Sequence, residues 1–310
     1  MLDPDVRKFL DFMAASRPKT RPPSLEDSRA AISRLARMAD VKDEPIGRID
    51  NGSMALPSGP LAYRIYTPVD QGGATLPGMV FFHGGGFVIG DLDTHEGLCR
   101  MLANAGGCRI VSVAYRLAPE HPFPAAIEDG VAATKWVFDN AARLKIGKVA
   151  VGGDSTGANI AAVVCQLAKQ AGEPEIMLQL LICPLVESGP KSPRPSRREF
   201  AEGHFLDAAA LRGGADFYCP DPVLRLDPRV SPILAVDLSG LPPAFVHTAE
   251  CDPLRDEGQA YAERLSKADV AVIHTCHAGM IHHFYCLGRA IPYARTAIAM
   301  MGNEIRAALS

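Results

Sequence analysis

Five residues, Gly153-Asp154-Ser155-Thr156-Gly157, narrow the folds open to this chain more than any other feature. They satisfy G-x-S-x-G and stand between the strand-like Val149-Ala150-Val151 and a helix-like stretch over 158–170. A serine at such a junction leaves a strand and enters a helix within one residue, which turns its Oγ out of the backbone. Small flanking residues are needed there because strand and helix leave no room for a Cβ. A glycine-rich turn with an incidental serine would carry the same letters. The ordered context on both sides argues against that alternative.

The strand–helix rhythm extends in both directions. Residues 61–67 alternate as a strand does, and 79–83 form a compact apolar run of the fully buried kind. The pattern then predicts a helix from about residue 94, a strand over 109–115, a helix from about 124, a strand over 148–152, a helix from about 156 and a strand over 176–183. After Pro184 some 55 residues of mixed signal interrupt it, before strands over 244–248 and 270–276, each followed by helix. This alternation predicts an α/β fold, a mostly parallel central sheet with helices on both faces. Two amphipathic helices precede the sheet: Val6, Phe9, Leu10 and Met13 recur at helical spacing, as do Ile32, Leu35, Ala36 and Met38 after a start at Ser24-Leu25-Glu26-Asp27. The expected organisation is N-terminal helices over 1–45, an α/β core over 46–184 and 241–310, and an insertion over 185–240 that joins the N-terminal helices as a cap. Within the insertion, residues 188–198 are rich in Pro, Ser and basic side chains and read as an exposed loop.

Composition removes several function classes. A length of 310 residues allows one large domain or two small ones, and 47% hydrophobic with 22% charged residues is an ordinary globular balance. No apolar run is long enough to span a membrane. A net charge of −3 has the wrong sign for a phosphate-binding surface, so no nucleic-acid partner is expected. The eight cysteines contain no C-x-x-C pair, and most sit in apolar stretches such as Ala162-Val163-Val164-Cys165, where a thiol behaves as a small hydrophobe. Charged residues break the apolar pattern over 1–17, so no signal peptide is expected, and reduced thiols then point to the cytoplasm.

A second glycine signal, His83-Gly84-Gly85-Gly86-Phe87, follows the strand ending at Phe82. Glycines let a main chain bring N–H donors within about 3 Å of a reacting carbonyl, and H-G-G-G after a strand is the arrangement that supplies an oxyanion hole. A phosphate loop is a weaker reading, because neither G-x-x-x-x-G-K-[ST] nor G-x-G-x-x-G is present. His83 itself is expected to organise this loop rather than to act as a base.

A serine nucleophile needs a base and an orienting carboxylate, in the order Ser, Asp or Glu, His. Asp252 falls on a loop at the C-terminal end of a strand and is preferred over Asp256, which a helix start explains. His282 follows Gly279-Met280-Ile281 on the loop expected after the last strand, and His283 is a rival that spacing alone does not separate. His274, Cys276 and His277 raise a metal site. On a strand, however, His274 and His277 would face opposite sides, so no metal and no cofactor are expected.

Residues 83–91, 115–129 (Tyr115-Arg116-Leu117-Ala118-Pro119-Glu120 and onward), 153–157, Asp252-Pro253-Leu254-Arg255-Asp256-Glu257-Gly258 and Gly279-Met280-Ile281-His282 together resemble the hormone-sensitive-lipase-like family of α/β-hydrolases. The resemblance spans about residues 60–290, and the N-terminal helices are similar to that family's cap. It implies carboxylic ester hydrolysis with Ser155 as nucleophile, His282 as base and Asp252 as its partner, and oxyanion donors on the N–H groups of Gly85, Gly86 and Thr156. It also suggests a homodimer. Two positions depart from the family pattern, Thr156 where Ala is usual and His283 where Gly is usual. Thr156 is expected to add bulk at the pocket floor, and His283 to add volume and charge beside the base, shifting acyl size and pH optimum.

The expectation is a carboxylesterase acting through an acyl-enzyme on small-molecule esters of short to medium chain, since no extended apolar segment suggests docking on a lipid interface. Phe205, Leu206, Phe217 and Tyr218 are candidate pocket residues, each with ordinary cap packing as its alternative. An amidase, peptidase or lipase on the same site, or a non-catalytic receptor of the kind found among relatives of this family in plants, are the competing readings.

Overall fold

The computed structural model describes residues 1–16, 24–41, 43–71, 73–172, 175–189 and 192–310. Two helices lead, α1 (Pro4–Ser16) and α2 (Leu25–Ala39). The Ser24 side chain accepts from the Asp27 N–H and the Asp27 side chain accepts from the Ser24 N–H, a reciprocal cap that starts α2 where the sequence indicates. There follow β1 (Arg48–Leu56), β2 (Gly59–Thr67), β3 (Leu76–Phe82), α3 (Glu96–Gly106), β4 (Arg109–Val113), α4 (Ala125–Asp139), α5 (Ala141–Leu144), β5 (Ile146–Asp154), α6 (Thr156–Ala171) and β6 (Gln179–Ile182). The remainder is α7 (Ser196–Glu199), α8 (Ala208–Tyr218), β7 (Ala244–Cys251), α9 (Arg255–Lys267), β8 (Val272–Ile281) and α10 (Tyr293–Leu309).

One eight-stranded sheet has the order β1-β2-β4-β3-β5-β6-β7-β8. The pairs β1–β2 and β2–β4 are antiparallel and all others parallel, as the alternation predicts. Both faces are covered, which is why β3 carries no polar alternation. Val80 and Phe82 enter one buried cluster and Met79 and Phe81 the other, all four with no exposed surface. Helices α4, α6 and α9 contribute to the first layer, and α1, α2, α3 and α10 to the second.

Three elements differ from the expected pattern. Strand β1 carries no apolar signature because it lies at the sheet edge and buries only Met54. Strand β8 runs on to Ile281, so Gly279-Met280-Ile281, expected on a loop, are strand residues, reached through a register shift against β7 between Ala249 and Cys251. The segment read as an exposed loop over 188–198 is anchored at its C-terminal part, while Pro190 and Lys191 lie outside the described residues. Ser196 is fully buried, donating from Oγ to Pro253 O at 2.8 Å, and Arg197 Nε donates to the buried Glu257 at 2.7 Å. The partners are about 60 residues away in sequence, which local composition does not register.

The tightest approach in the core is at the β5–α6 junction, where a Cβ on Gly157 would lie 1.8 Å from the Phe82 carbonyl oxygen. On Gly213 of α8 a Cβ would meet nothing within 4 Å. Gly157→Ala is therefore expected to destabilise the protein by about 3 kcal/mol or more. Gly213→Ala should be neutral or stabilising by about 0.5–1 kcal/mol. Urea unfolding of the two variants beside the parent checks both signs.

Candidate active site

Strand β5 ends at Asp154, and Ser155 takes φ 53° and ψ −115° before α6 begins. Such backbone costs about 1–3 kcal/mol and persists only where its surroundings over-determine it. Here the Ser155 N–H donates to Ile182 O at 2.8 Å and its carbonyl accepts from Leu185 N at 3.1 Å, so the end of β6 holds both sides of the turn. Gly153 is required for the same reason as Gly157: its Cβ would lie 2.5 Å from Phe82 O.

The turn sets Ser155 Oγ 3.1 Å from His282 Nε2, and His282 Nδ1 is 2.7 Å from Asp252 Oδ2. The other Asp252 oxygen accepts from Leu254 N at 2.8 Å, fixing the carboxylate. All three side chains are buried, Asp252 completely and Ser155 to 7% exposure. A hydroxyl, imidazole and carboxylate in this sequence can move the serine proton to the ring while the carboxylate holds the tautomer. Asp256 stands apart, in the first turn of α9, where it accepts from Ser196 N and pairs with Arg255.

The glycine loop after β3 lies beside Ser155. The Gly84 N–H is taken by Asp154 Oδ1 at 2.9 Å, whereas those of Gly85, Gly86 and Thr156 make no hydrogen bond to another described residue. His83 lies on the loop's buried side, its Nδ1 2.8 Å from Gly84 O and its ring stacked on Tyr115 at 4.4 Å.

Beneath the site is a charged group that the sequence reading did not single out. Asp154 accepts from Gly84 N, lies 3.3 Å from His95 Nε2 and accepts from Tyr285 OH at 3.1 Å. Burial works to raise its carboxyl, but His95, His283 and His83 overcome this and hold it down at about 2. The ring of His95 is pushed the other way: burial lowers it, yet Asp154 prevails and raises it. The only local signal was an acid directly before the serine.

Two expectations about the departures change. The Thr156 side chain is not at a pocket floor: it is buried behind the glycine loop, its Oγ1 accepting from Phe87 N at 3.3 Å. His283 adds volume but not charge, because burial, chiefly, pushes its pKa down to about 3. It occupies φ 68°, the left-handed region that favours glycine, and its ring stacks on Phe205 at 5.6 Å with 1° between planes.

The four candidate pocket residues divide. Phe205 touches both His283 and Phe9, the latter at 6.0 Å, and Leu206 beside it is half-buried. Tyr218 is stacked on Phe87 of the glycine loop at 3.6 Å, and Phe217 is 43% exposed, outside that buried contact. His274 is exposed and lies 3.1 Å from Thr248 Oγ1, while His277 is buried against His247 at 3.1 Å, so the two histidines of the H-x-x-H spacing diverge. His95, His283 and Cys286 converge closely enough to share a metal. Both ring nitrogens of His95 already face partners, Thr94 Oγ1 and Asp154, which makes that group a poor ligand set.

The parallel sheet, the strand–serine–helix turn and the hydroxyl–imidazole–carboxylate run define a serine hydrolase class of site. The alpha/beta hydrolase fold family matches residues 79–286, and the chain belongs to it, in its hormone-sensitive-lipase-like branch. It is 38% identical over 306 residues to Esterase LipI of Mycobacterium tuberculosis, covering 96% of this chain and 92% of that one. It is 35% identical over 316 residues to an ethyl acetate hydrolase of Pseudomonas putida, covering 98% of each. Among solved structures, an ester hydrolase from the metagenome of Lake Arreo, complexed with a bipyridine phosphonate derivative, superposes with a TM-score of 0.94 at 40% identity and 99% coverage of both chains. The protein is a carboxylic ester hydrolase, and its substrates are small-molecule esters.

His283 also supplies a test of burial. Its pKa is lowered in the folded state, so between about pH 6.5 and its folded value the unfolded chain binds a proton at this ring that the folded chain does not. Stability is lost as pH falls through that window. The charged and titratable groups facing it are His95, Asp154, His282, Tyr285 and Cys286, all of which remain in place in His283→Gly. Relative to its standing at pH 8, this variant should gain on the parent by up to about 1.4 kcal/mol per pH unit below about pH 6.5. Urea unfolding at pH 8, 6 and 5 reads the difference, and a constant gap would show that the ring titrates normally.

Proposed function

We propose that the protein is a carboxylesterase for short- to medium-chain esters in which Ser155 attacks the ester carbonyl, His282 takes the hydroxyl proton and Asp252 holds the imidazole. Formation of the Ser155 Oγ–C bond raises a tetrahedral oxyanion, which accepts from the N–H groups of Gly85, Gly86 and Thr156. Collapse breaks the C–O bond to the alcohol, which leaves with the proton from His282. Water then attacks the acyl-enzyme with His282 again as base, releasing the acid and restoring Ser155. The observation that carries this reading is the hydrogen-bonded run from Ser155 Oγ through His282 to Asp252, at 3.1 and 2.7 Å.

The restriction to short and medium chains is supported by the enclosure of the serine, 7% exposed, and by the similarity to an ethyl acetate hydrolase. We assign residues 1–45 and 185–240 to a cap over a core of 46–184 and 241–310. Contacts between the two parts of that cap, Phe9 on Phe205, support the grouping, as does Arg29 of α2, whose Nε donates to Val88 O at 2.9 Å. Phe205, with Leu206, is the favoured pocket wall, and Tyr218 acts there through Phe87. A cytoplasmic setting is supported by eight free cysteines, seven of them buried, and a homodimer by the family resemblance. No helix among the described residues is long and apolar enough to cross a membrane.

Hydrolysis of p-nitrophenyl esters from acetate to palmitate tests the assignment. Activity should peak at short to medium chains and fall by at least about a thousandfold in Ser155→Ala and His282→Ala. His283→Gly should retain turnover and leave the acid limb of kcat/KM against pH in place, because its ring is already neutral there. A peak at palmitate, or survival of activity in Ser155→Ala, would overturn the reading.

A further inference from the structure

The loop that carries Gly85 and Gly86 is a tight turn, in which Gly85 O accepts from Val88 N at 3.0 Å and from Ile89 N at 2.9 Å. Three successive residues hold positive φ, Gly85 at 122°, Gly86 at 67° and Phe87 at 63°, and the last of these is a conformation that a phenylalanine adopts only when held. The N-terminal end of the loop is held by Tyr115, whose hydroxyl donates to His83 O at 2.8 Å, and by Asp154 on Gly84 N. At the C-terminal end, the Phe87 carbonyl accepts from Ala118 N at 2.8 Å and the Phe87 N–H donates to Thr156 Oγ1 at 3.3 Å.

Thr156 differs from the other anchors in being the first residue of α6, so its own N–H is the third donor facing the same reaction centre. The C-terminal end of the glycine loop is thereby referred, through Phe87 N, to the residue that supplies the helix donor. A β-branched side chain suits this role, since its restricted χ1 aims the hydroxyl at little entropic cost.

We propose that the Thr156 hydroxyl is a positioning group for the oxyanion site, setting the distance between the glycine-loop donors and the α6 donor. The inference rests on the reading of Ser155 as nucleophile, and goes beyond it in giving the side chain at 156 a task that the Ala usual in the family lacks the atom to perform.

Thr156→Val is the informative variant, because it keeps the shape and leaves the buried Phe87 N–H without its acceptor. Thr156→Ser restores the hydroxyl. Kinetics on the preferred p-nitrophenyl ester should show kcat down about tenfold in the Val variant with KM within about twofold, and most of the loss recovered in the Ser variant. The Ki of a trifluoromethyl ketone of matched chain length, which forms a tetrahedral adduct, should rise by the same factor as kcat/KM falls. Circular dichroism melts establish that each variant is folded at the assay temperature.

Wild-type kcat and Ki in the Val variant overturn the inference. So does a loss that Ser fails to recover, or a fall in kcat with Ki unmoved. A p-nitrophenyl phosphonate, titrated to one equivalent of released p-nitrophenol with the adduct mapped to Ser155 by mass spectrometry, separates the two levels. No adduct at Ser155 overturns the nucleophile assignment, whereas a normal adduct beside a fully active Val variant overturns only the role of Thr156.

Discussion

A backbone that must turn from strand to helix within the single residue Ser155 constrains nearly everything around it. The turn brings the start of α6 against the end of β3, so closely that Gly153 and Gly157 have no space for a side chain beside the Phe82 carbonyl. Its cost is carried by the neighbouring strand, since the Ser155 N–H and carbonyl are both satisfied by the chain leaving β6. Because β3 and β5 are adjacent and parallel, the loops that follow them emerge side by side at the same sheet edge. Gly85 and Gly86 therefore lie next to the serine by topology, before any side chain contributes.

What side chains add is registration between loops, and a buried carboxylate does most of it. Asp154 is the last residue of β5, yet its partners are Gly84 of the loop after β3, His95 at the start of α3 and Tyr285 beyond β8. An isolated charge in that position would be strongly destabilising. With three partners it joins the glycine loop to the segment that follows His282. The closeness of Gly84 to this acid, a Cβ there falling 2.3 Å from Asp154 Oδ2, explains why the first glycine of the triplet is needed although its N–H is not available to a substrate.

The sequence was most informative where one residue type is the only one that fits. The G-x-S-x-G junction, the glycine triplet and the order Ser155, Asp252, His282 could all be read locally, and so could the α/β alternation, because strands buried on both faces leave continuous apolar runs. Asp256 could be set aside in advance because a helix start accounted for it. Legibility ended where a contact joins distant segments. Arg197 looks like part of a solvated basic run until Glu257, fully buried in α9, is known to face it. Strand β1 has one buried side chain and so no pattern to detect. The separation of His282 from His283 depends on a left-handed backbone at 283 that turns the second ring away from Ser155, and a histidine at such a position gives no warning of it in sequence.

The same backbone explains how His283 is accommodated. Glycine is the residue with no penalty at φ 68°, so a histidine there needs compensation, and its surroundings supply it: Phe205 stacked flat on one side, with His95 and Tyr285 presenting edges. Burial, chiefly, keeps the ring neutral by pushing its pKa down to about 3. The contacts also run onward, since Phe205 rests on Phe9 of α1, so that the loop bearing His282, the segment around Phe205 and the N-terminal helix share one aromatic column. Phe87 on Tyr218 makes a second such column between the glycine loop and α8. The proposed cap segments are thus seated on the two loops that carry His282 and Gly85-Gly86, so the placing of the former and the alignment of the latter are parts of one packing arrangement.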